Sequence, residues 1–99
     1  MARFDFYERP GGTGYLLDLQ ADLLSGLNTR IVAPLLALAD APPPARRLNP
    51  VFDVTGERVV MLTQFMAAVP ISELRRRVGS LADQRDAIMN ALDMVFIGF

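Results

Sequence analysis

Short strand-like runs separated by turn residues fill most of the chain, and one helical pattern closes it. Phe4 and Phe6 alternate with polar residues, the glycines of 11–14 suit a turn, and 15–20 resembles a return strand, so a hairpin is predicted. A second hairpin is predicted at 50–62. Five or more antiparallel strands followed by one helix predict a mostly β fold, a small barrel-like sheet with a C-terminal α-helix packed on it.

Other segments have weaker patterns. The stretch 30–36 is typical of a third strand, and we expect it at a sheet edge because Pro34 has no N–H to donate to a ladder. The stretch 67–70 is a candidate short strand. The stretch 21–26 breaks the alternation and is interpreted as a strand end with one of its two leucines near the surface. The prolines of 42–44 predict a stiff, exposed connection.

The clearest element is the helix predicted to begin after Ser80. Ser80 is a suitable N-cap, and Gly98 lies where a helix C-terminus favours glycine. At about 100° per residue, one broad face collects the core candidates Ile88, Met89, Leu92, Val95 and Phe96. The opposite, solvated face also carries Met94 and Ile97. This apolar terminus predicts packing against a partner or, alternatively, closure of the chain's own core by Phe96 and Phe99.

Composition limits the classes of function. The 99 residues predict a single domain, 1–99, and a 52% hydrophobic share favours an oligomer that buries the extra apolar surface. No apolar run approaches a membrane span, and the N-terminus lacks the regions of a signal peptide, so a cytoplasmic protein is expected. The absence of Cys and His removes the usual nucleophile, acid–base and metal-ligand side chains. We therefore expect neither an enzyme nor a metal or other cofactor.

The charge balance argues against direct nucleic-acid binding. All ten basic residues are arginines, and the eleven acidic residues bring the formal net charge to −1. A nucleic-acid-binding surface needs a cationic footprint that displaces phosphate counterions. The run 75–77 is the one basic cluster, and we interpret it as a solvated segment.

A family resemblance is carried by the stretches 18–24, 30–35, 48–51, 66–72 and 90–99. In these stretches the chain resembles the CcdB family, toxins of plasmid-type, type II toxin–antitoxin systems that poison DNA gyrase. The resemblance implies an SH3-like small barrel with a wing of extra strands and a long C-terminal helix. It also implies a homodimer, a role in plasmid maintenance, and two partners, the gyrase A subunit and a cognate CcdA-like antitoxin.

The resemblance also implies where the partners bind. In CcdB-type toxins the paired helix ends of the dimer enter the cavity of the gyrase A dimer, and a Trp-Gly-Ile ending makes the decisive contacts. The matching residues here are Ile97-Gly98-Phe99, and Asp93 stands where the family shows Asn. The gyrase-binding residues implied by the resemblance are Leu23, Leu24, Asp93, Phe96, Ile97, Gly98 and Phe99. The implied dimer interface includes Met94 and Val95.

Two alternatives stay open at the level of sequence. The related MazF-like toxins share the barrel and cut RNA, and an endoribonuclease here would use Arg30 with Thr29 or Thr63 in place of histidine. The second alternative is a CcdB-like binding protein that has lost gyrase poisoning, which the isoleucine at position 97 suggests. Because the spacing of the arginine and the threonines is not diagnostic, we predict a non-enzymatic gyrase inhibitor.

Overall fold

Seven antiparallel strands and one helix make up the computed structural model, which describes residues 1–99. The strands are β1 (Asp5–Glu8), β2 (Tyr15–Asp18), β3 (Thr29–Ala37), β4 (Val51–Val54), β5 (Glu57–Met61), β6 (Ala67–Pro70) and β7 (Arg77–Ser80). The helix, α1, spans Arg85–Phe96, and short 3₁₀ turns connect several of these elements. No helix has the length and apolar character needed to cross a bilayer. The predicted fold class, mostly β with a C-terminal helix, is confirmed.

The two predicted hairpins are present. β1 pairs with β2 across the glycine-rich loop, and β4 pairs with β5 across Thr55 and Gly56. Both of these turn residues have positive φ, 49° and 79°, which is the backbone of a tight two-residue hairpin turn and explains the glycine. The candidate strand at 67–70 is confirmed as β6.

The prediction that the third strand lies at an edge is wrong. β3 is the most highly connected strand, with β2 on one side and both β6 and β5 on the other. β6 pairs with Thr29–Val32 and β5 with Leu35–Ala37, so Pro34 lies between the two partners. The Pro34 carbonyl faces this gap, where it accepts a hydrogen bond from the Leu62 amide at 2.9 Å. The missing N–H of Pro34 therefore costs the sheet no ladder bond.

The main core lies between the curved sheet and the first two turns of α1. Ile88 and Ala91 are fully buried there, against strand residues such as Phe6, Leu17 and Val59. Met89 and Leu92 are partly buried against the same core. The predicted core face is thus correct for the first half of the helix.

The second half of the predicted core face is wrong for the isolated chain. Val95 is 37% exposed and Phe96 is 72% exposed, so the helix extends past the sheet that covers its first turns. Phe99 is also exposed. The alternative in which Phe96 and Phe99 close the chain's own core is therefore excluded.

Both ends of the helix show how local sequence sets its limits. The helix begins at Arg85, later than predicted, because Ser80 ends β7 and its hydroxyl accepts a hydrogen bond from the Ala82 amide at 3.1 Å. This local contact lies just before the 3₁₀ turn Ala82–Gln84, which precedes α1 and has Leu81 at its N-cap. Gly98 follows the helix as predicted, with a φ of 92° that favours glycine.

Candidate functional site

The C-terminal end of α1 presents an apolar surface to solvent. Its exposed side chains are Met94, Val95, Phe96, Ile97 and Phe99. Scattered exposed apolar residues are common on monomers, but here five of six consecutive positions are apolar and exposed, so the patch surrounds the end of the helix. We call this patch the helix tip.

The backbone of the helix tip is well satisfied. The Ile97 amide donates to the Asp93 carbonyl at 2.7 Å, and the Gly98 amide donates to the carbonyls of Asp93 and Met94 at 3.1 Å. These bonds occupy carbonyls that a helix end would otherwise leave unpaired. Asp93 is half-buried and takes part in the tip through its backbone. The tip is therefore a fixed surface on a capped helix end.

A second exposed apolar group lies on the 3₁₀ turn Asp22–Leu24, which we call the leucine turn. Leu23 is 93% exposed and Leu24 is 47% exposed, whereas the sequence interpretation expected a strand end with one surface leucine. The interpretation is corrected on both points. Neither leucine reaches the core because the turn carries them outward, with none of its three residues buried.

Arg3 links the leucine turn to the helix. Its backbone amide donates to the Asp22 carboxylate at 2.8 Å, and its Nε donates to the Leu19 carbonyl at 3.0 Å. Its Nη2 lies 3.5 Å from the Met89 sulfur on α1. Met89 precedes Phe96 by about 10 Å along the helix axis, at 1.5 Å per residue. Arg3, which sequence reasoning missed, thus contacts the turn through its backbone and the helix through its side chain.

Two of the three candidate ribonuclease residues, Arg30 and Thr63, are buried. Arg30 is only 1% exposed, and its Nε donates to Asp18 Oδ2 at 3.0 Å while Nη2 donates to the same oxygen. Thr63 is fully buried and its hydroxyl donates to the Leu48 carbonyl. Thr29 lies at the surface. The guanidinium of Arg30 is therefore enclosed with a carboxylate and is not accessible from solvent.

The buried ion pair belongs to a polar cluster on the other face of the sheet. Tyr7 packs there with Leu16, Val32 and Leu74 in a small second core. Burial raises the pKa of the Tyr7 phenol above 10.0, with a further contribution from the nearby carboxylates. Every buried side-chain polar atom has a hydrogen-bond partner. The cluster is therefore a satisfied structural element.

Arg77 connects this cluster to solvent. Its Nε lies 3.0 Å from the Asp5 carboxylate, and Asp5 itself is almost fully buried. The hydrogen bond and charge of Asp5 raise the pKa of Arg77 above its ordinary value. Arg76 faces Glu8 at a loose 3.9 Å. The basic run 75–77 is exposed, as predicted for a solvated segment.

Comparison with known proteins gives one family and one fold. A family model described as CcdB protein matches residues 3–98. Among solved structures, the Mycobacterium tuberculosis toxin MazF-mt6 superposes with a TM-score of 0.77 at 19% identity, covering 95% of this chain and 96% of that one. A structure described as an Mtb toxin superposes with a TM-score of 0.73 at 18% identity, covering 93% of this chain and 99% of that one. Because the sequence identities are below 20%, these two superpositions show that this chain shares its fold with both structures and nothing more.

Proposed function

The chain belongs to the CcdB family, toxins of toxin–antitoxin systems, and from this premise we propose that it inhibits DNA gyrase by binding the gyrase A subunit. Binding uses the helix tips of a homodimer together with the leucine turns. The observation that carries the proposal is the exposed helix tip, where Phe96 and Phe99 are 72% and 76% exposed. Large aromatic side chains at the centre of an interface supply much of its binding energy.

A homodimer fits the distribution of exposed side chains. Met94 and Val95 are each a little over one-third exposed on the same helix end that carries the phenylalanines. A two-fold axis beside α1 would cover these two residues and leave Phe96, Ile97 and Phe99 of both protomers exposed on the same side of the dimer. Such a pair of tips is symmetric, as is the gyrase A dimer that the family's toxins enter.

The second proposed partner is a CcdA-like antitoxin whose disordered segment folds on the toxin. Coupled folding and binding lets a short segment cover a large surface. The exposed hairpin loop 11–14 and the proline-containing loop 42–47 are candidate determinants of which antitoxin is accepted. Both loops lie outside the helix tip in sequence, so an antitoxin contact there leaves the gyrase contact to separate residues.

Two residues predict a weaker gyrase contact than the family pattern. Ile97 replaces the family's Trp and has no π-face for a cationic side chain. Asp93 replaces Asn and adds a negative charge beside the tip. We therefore propose gyrase inhibition with reduced affinity, and loss of gyrase binding is the alternative that the experiment below decides.

We propose no catalytic activity for the chain. The ribonuclease alternative required an accessible arginine, and Arg30 is enclosed with Asp18. The chain also lacks histidine, the side chain that most often transfers protons near neutral pH, and it has no cysteine. Incubation of the purified protein with single-stranded and structured RNA should leave both intact. Site-specific cleavage that copurifies with the protein would contradict this part of the proposal.

The helix tip is tested by gyrase-linked DNA cleavage and by binding to an isolated gyrase A fragment. Removal of residues 97–99 should abolish both. Ile97→Trp should tighten binding by about 2- to 30-fold per site, since a cation–π contact is worth about 0.5–2 kcal/mol. Phe99→Ala should weaken binding, whereas Val51→Ala, at an exposed apolar position on the edge strand β4, should leave binding unchanged.

The outcomes separate the alternatives. If the truncated protein binds and poisons as well as the wild type, the tip is not the gyrase contact and the proposal fails. If the wild type, Ile97→Trp and the truncated protein all fail to bind while circular dichroism shows an intact fold, the chain is a CcdB-like binding protein that has lost the ability to bind and poison gyrase.

A further inference from the structure

The leucine turn has no hydrophobic anchor of its own. All residues from 21 to 29 are exposed, and both leucines point away from the core. A loop of this kind depends on polar contacts for its order, because it buries little apolar surface to offset its conformational entropy. The contacts that hold the turn therefore decide whether its leucines are presented in one arrangement.

Gln20 makes the contacts that close this loop. It is buried, and its Nε2 donates to the Leu24 carbonyl at 3.0 Å and to the Thr29 carbonyl at 3.1 Å. Its Oε1 accepts from the Ile31 amide at 3.1 Å. One carboxamide thus joins the last residue of the leucine turn to the first and third residues of β3. All of its side-chain hydrogen-bond contacts go to backbone groups on the two sides of the loop.

The backbone of Gln20 is itself held by a hydrogen bond to the buried ion pair of Asp18 and Arg30. Its backbone amide donates to Asp18 Oδ1 at 3.0 Å, while the other oxygen of Asp18 accepts from Arg30. Asp18 and Arg30 are both essentially inaccessible to solvent. A continuous set of hydrogen bonds therefore runs from the core of the sheet through Gln20 to the leucine turn. At the other end of the turn, the Asp22 carboxylate accepts from the Arg3 amide.

We propose that Gln20 is a positioning residue for partner binding, which holds Leu23 and Leu24 in the conformation that the partner recognises. This inference rests on the proposed function, in which the leucine turn is part of the gyrase A contact. Gln20 is nearly inaccessible to solvent and acts through the leucines. A turn that is ordered before binding loses less conformational freedom in the complex, so its affinity is higher.

The test replaces Gln20 by methionine, which has a similar length, no charge and no donor. Gln20→Met should weaken binding to the gyrase A fragment about tenfold, which corresponds to about 1.4 kcal/mol. Gln84→Met is the matched control, because Gln84 is exposed and makes no side-chain capping bond. The control should bind like the wild type.

A double-mutant cycle distinguishes positioning from general destabilisation. In a background carrying both Leu23→Ala and Leu24→Ala, the loss caused by Gln20→Met should shrink to less than about twofold, because both side chains through which Gln20 acts are gone. A loss of the same size in both backgrounds would overturn the proposal. So would a folded Gln20→Met protein that binds like the wild type.

Hydrogen exchange of the wild type tests the clamp, by which we mean the Gln20 side-chain hydrogen bonds to Leu24, Thr29 and Ile31, without any substitution. The Ile31 amide, held by the Gln20 side chain, should exchange as slowly as strand amides paired in the ladder, such as that of Val60. Fast exchange at Ile31 would overturn the proposal even if Gln20→Met fails to fold. If the wild type itself does not bind the gyrase A fragment, the proposed function fails, and hydrogen exchange alone then decides whether the clamp exists.

Discussion

The buried pair of Asp18 and Arg30 predicts a large stability loss from a very small chemical change. Asp18→Asn keeps the shape of the side chain and one acceptor oxygen, but it removes the negative charge. Arg30 stays charged, since a guanidinium does not lose its proton in proteins. The variant therefore leaves an uncompensated cation at a position only 1% exposed. Removing one partner of a buried ion pair typically costs about 3–5 kcal/mol.

The matched control is the pair of Asp53 and Arg58 at the surface. Its nitrogen and oxygen lie 3.5 Å apart, but the side chains are 77% and 69% exposed. Exposed pairs contribute about 0–1 kcal/mol because water and salt screen them. Asp53→Asn makes the same atomic change as Asp18→Asn in a different environment. The difference between the two variants thus isolates the effect of burial.

Urea unfolding followed by circular dichroism measures both variants at one protein concentration. A domain of this size is expected to be stable by about 5–15 kcal/mol in total, so the loss at Asp18 is a large fraction of it. With a urea m-value of about 1–3 kcal/mol per molar, the midpoint should fall by at least about 1 M. A midpoint within about 0.3 M of the wild type, or a shift equal to that of Asp53→Asn, would refute the reasoning.

Three further predictions use the same measurement or a related one. Gly14→Ala should lower the free energy of unfolding by about 1–3 kcal/mol, because Gly14 has a φ of 88° and an added Cβ would meet the Leu35 carbonyl oxygen. The control, Gly12→Ala, should change the free energy of unfolding little, because only the flexible Arg9 side chain lies near Gly12 and its φ is ordinary. Because the folded-state pKa of Tyr7 is raised above 10.0, its contribution to stability is complete below pH 10 and should be lost as the pH rises through the folded-state pKa. Met94→Glu should convert a sedimenting dimer into a monomer.

Each of these predictions has a result that would count against it. For the glycines it is an equal loss at both positions. For Tyr7 it is a Tyr7→Phe variant whose urea midpoint falls between pH 9 and 11 as steeply as that of the wild type. For the dimer it is a wild-type protein that sediments as a monomer at micromolar concentration.

Local sequence was sufficient wherever a structure depends on residues close to one another in the chain. The second hairpin, which turns at Thr55 and Gly56, and the glycine after the helix were both predicted, because backbone positions with positive φ favour glycine. The start of the helix was misplaced at Ser80, since a serine hydroxyl accepts local backbone hydrogen bonds in turns as well as at helix N-termini.

The candidate site was predicted only in part. The apolar character of the helix tip and of the leucine pair could be read from the sequence, and their roles as binding residues stay predictions. The contribution of Gln20 and Arg3 could not be read, because a glutamine or an arginine in a strand-like stretch has no pattern that distinguishes a buried clamp from a solvated side chain. The burial of Arg30 against Asp18 could not be read for the same reason.

The sequence by itself determined the two hairpins, the C-terminal helix, the mostly β class and the apolar terminus, since these depend on local backbone preference and on hydrophobic periodicity. Only the tertiary structure decided that β3 is central and that the Arg30 and Asp18 side chains form a buried ion pair on one face of the sheet. It also decided that the helix extends past its covering strands and exposes Phe96. These features depend on which distant segments pair, and strand pairing is set by the sum of many long-range contacts that no single stretch of sequence contains.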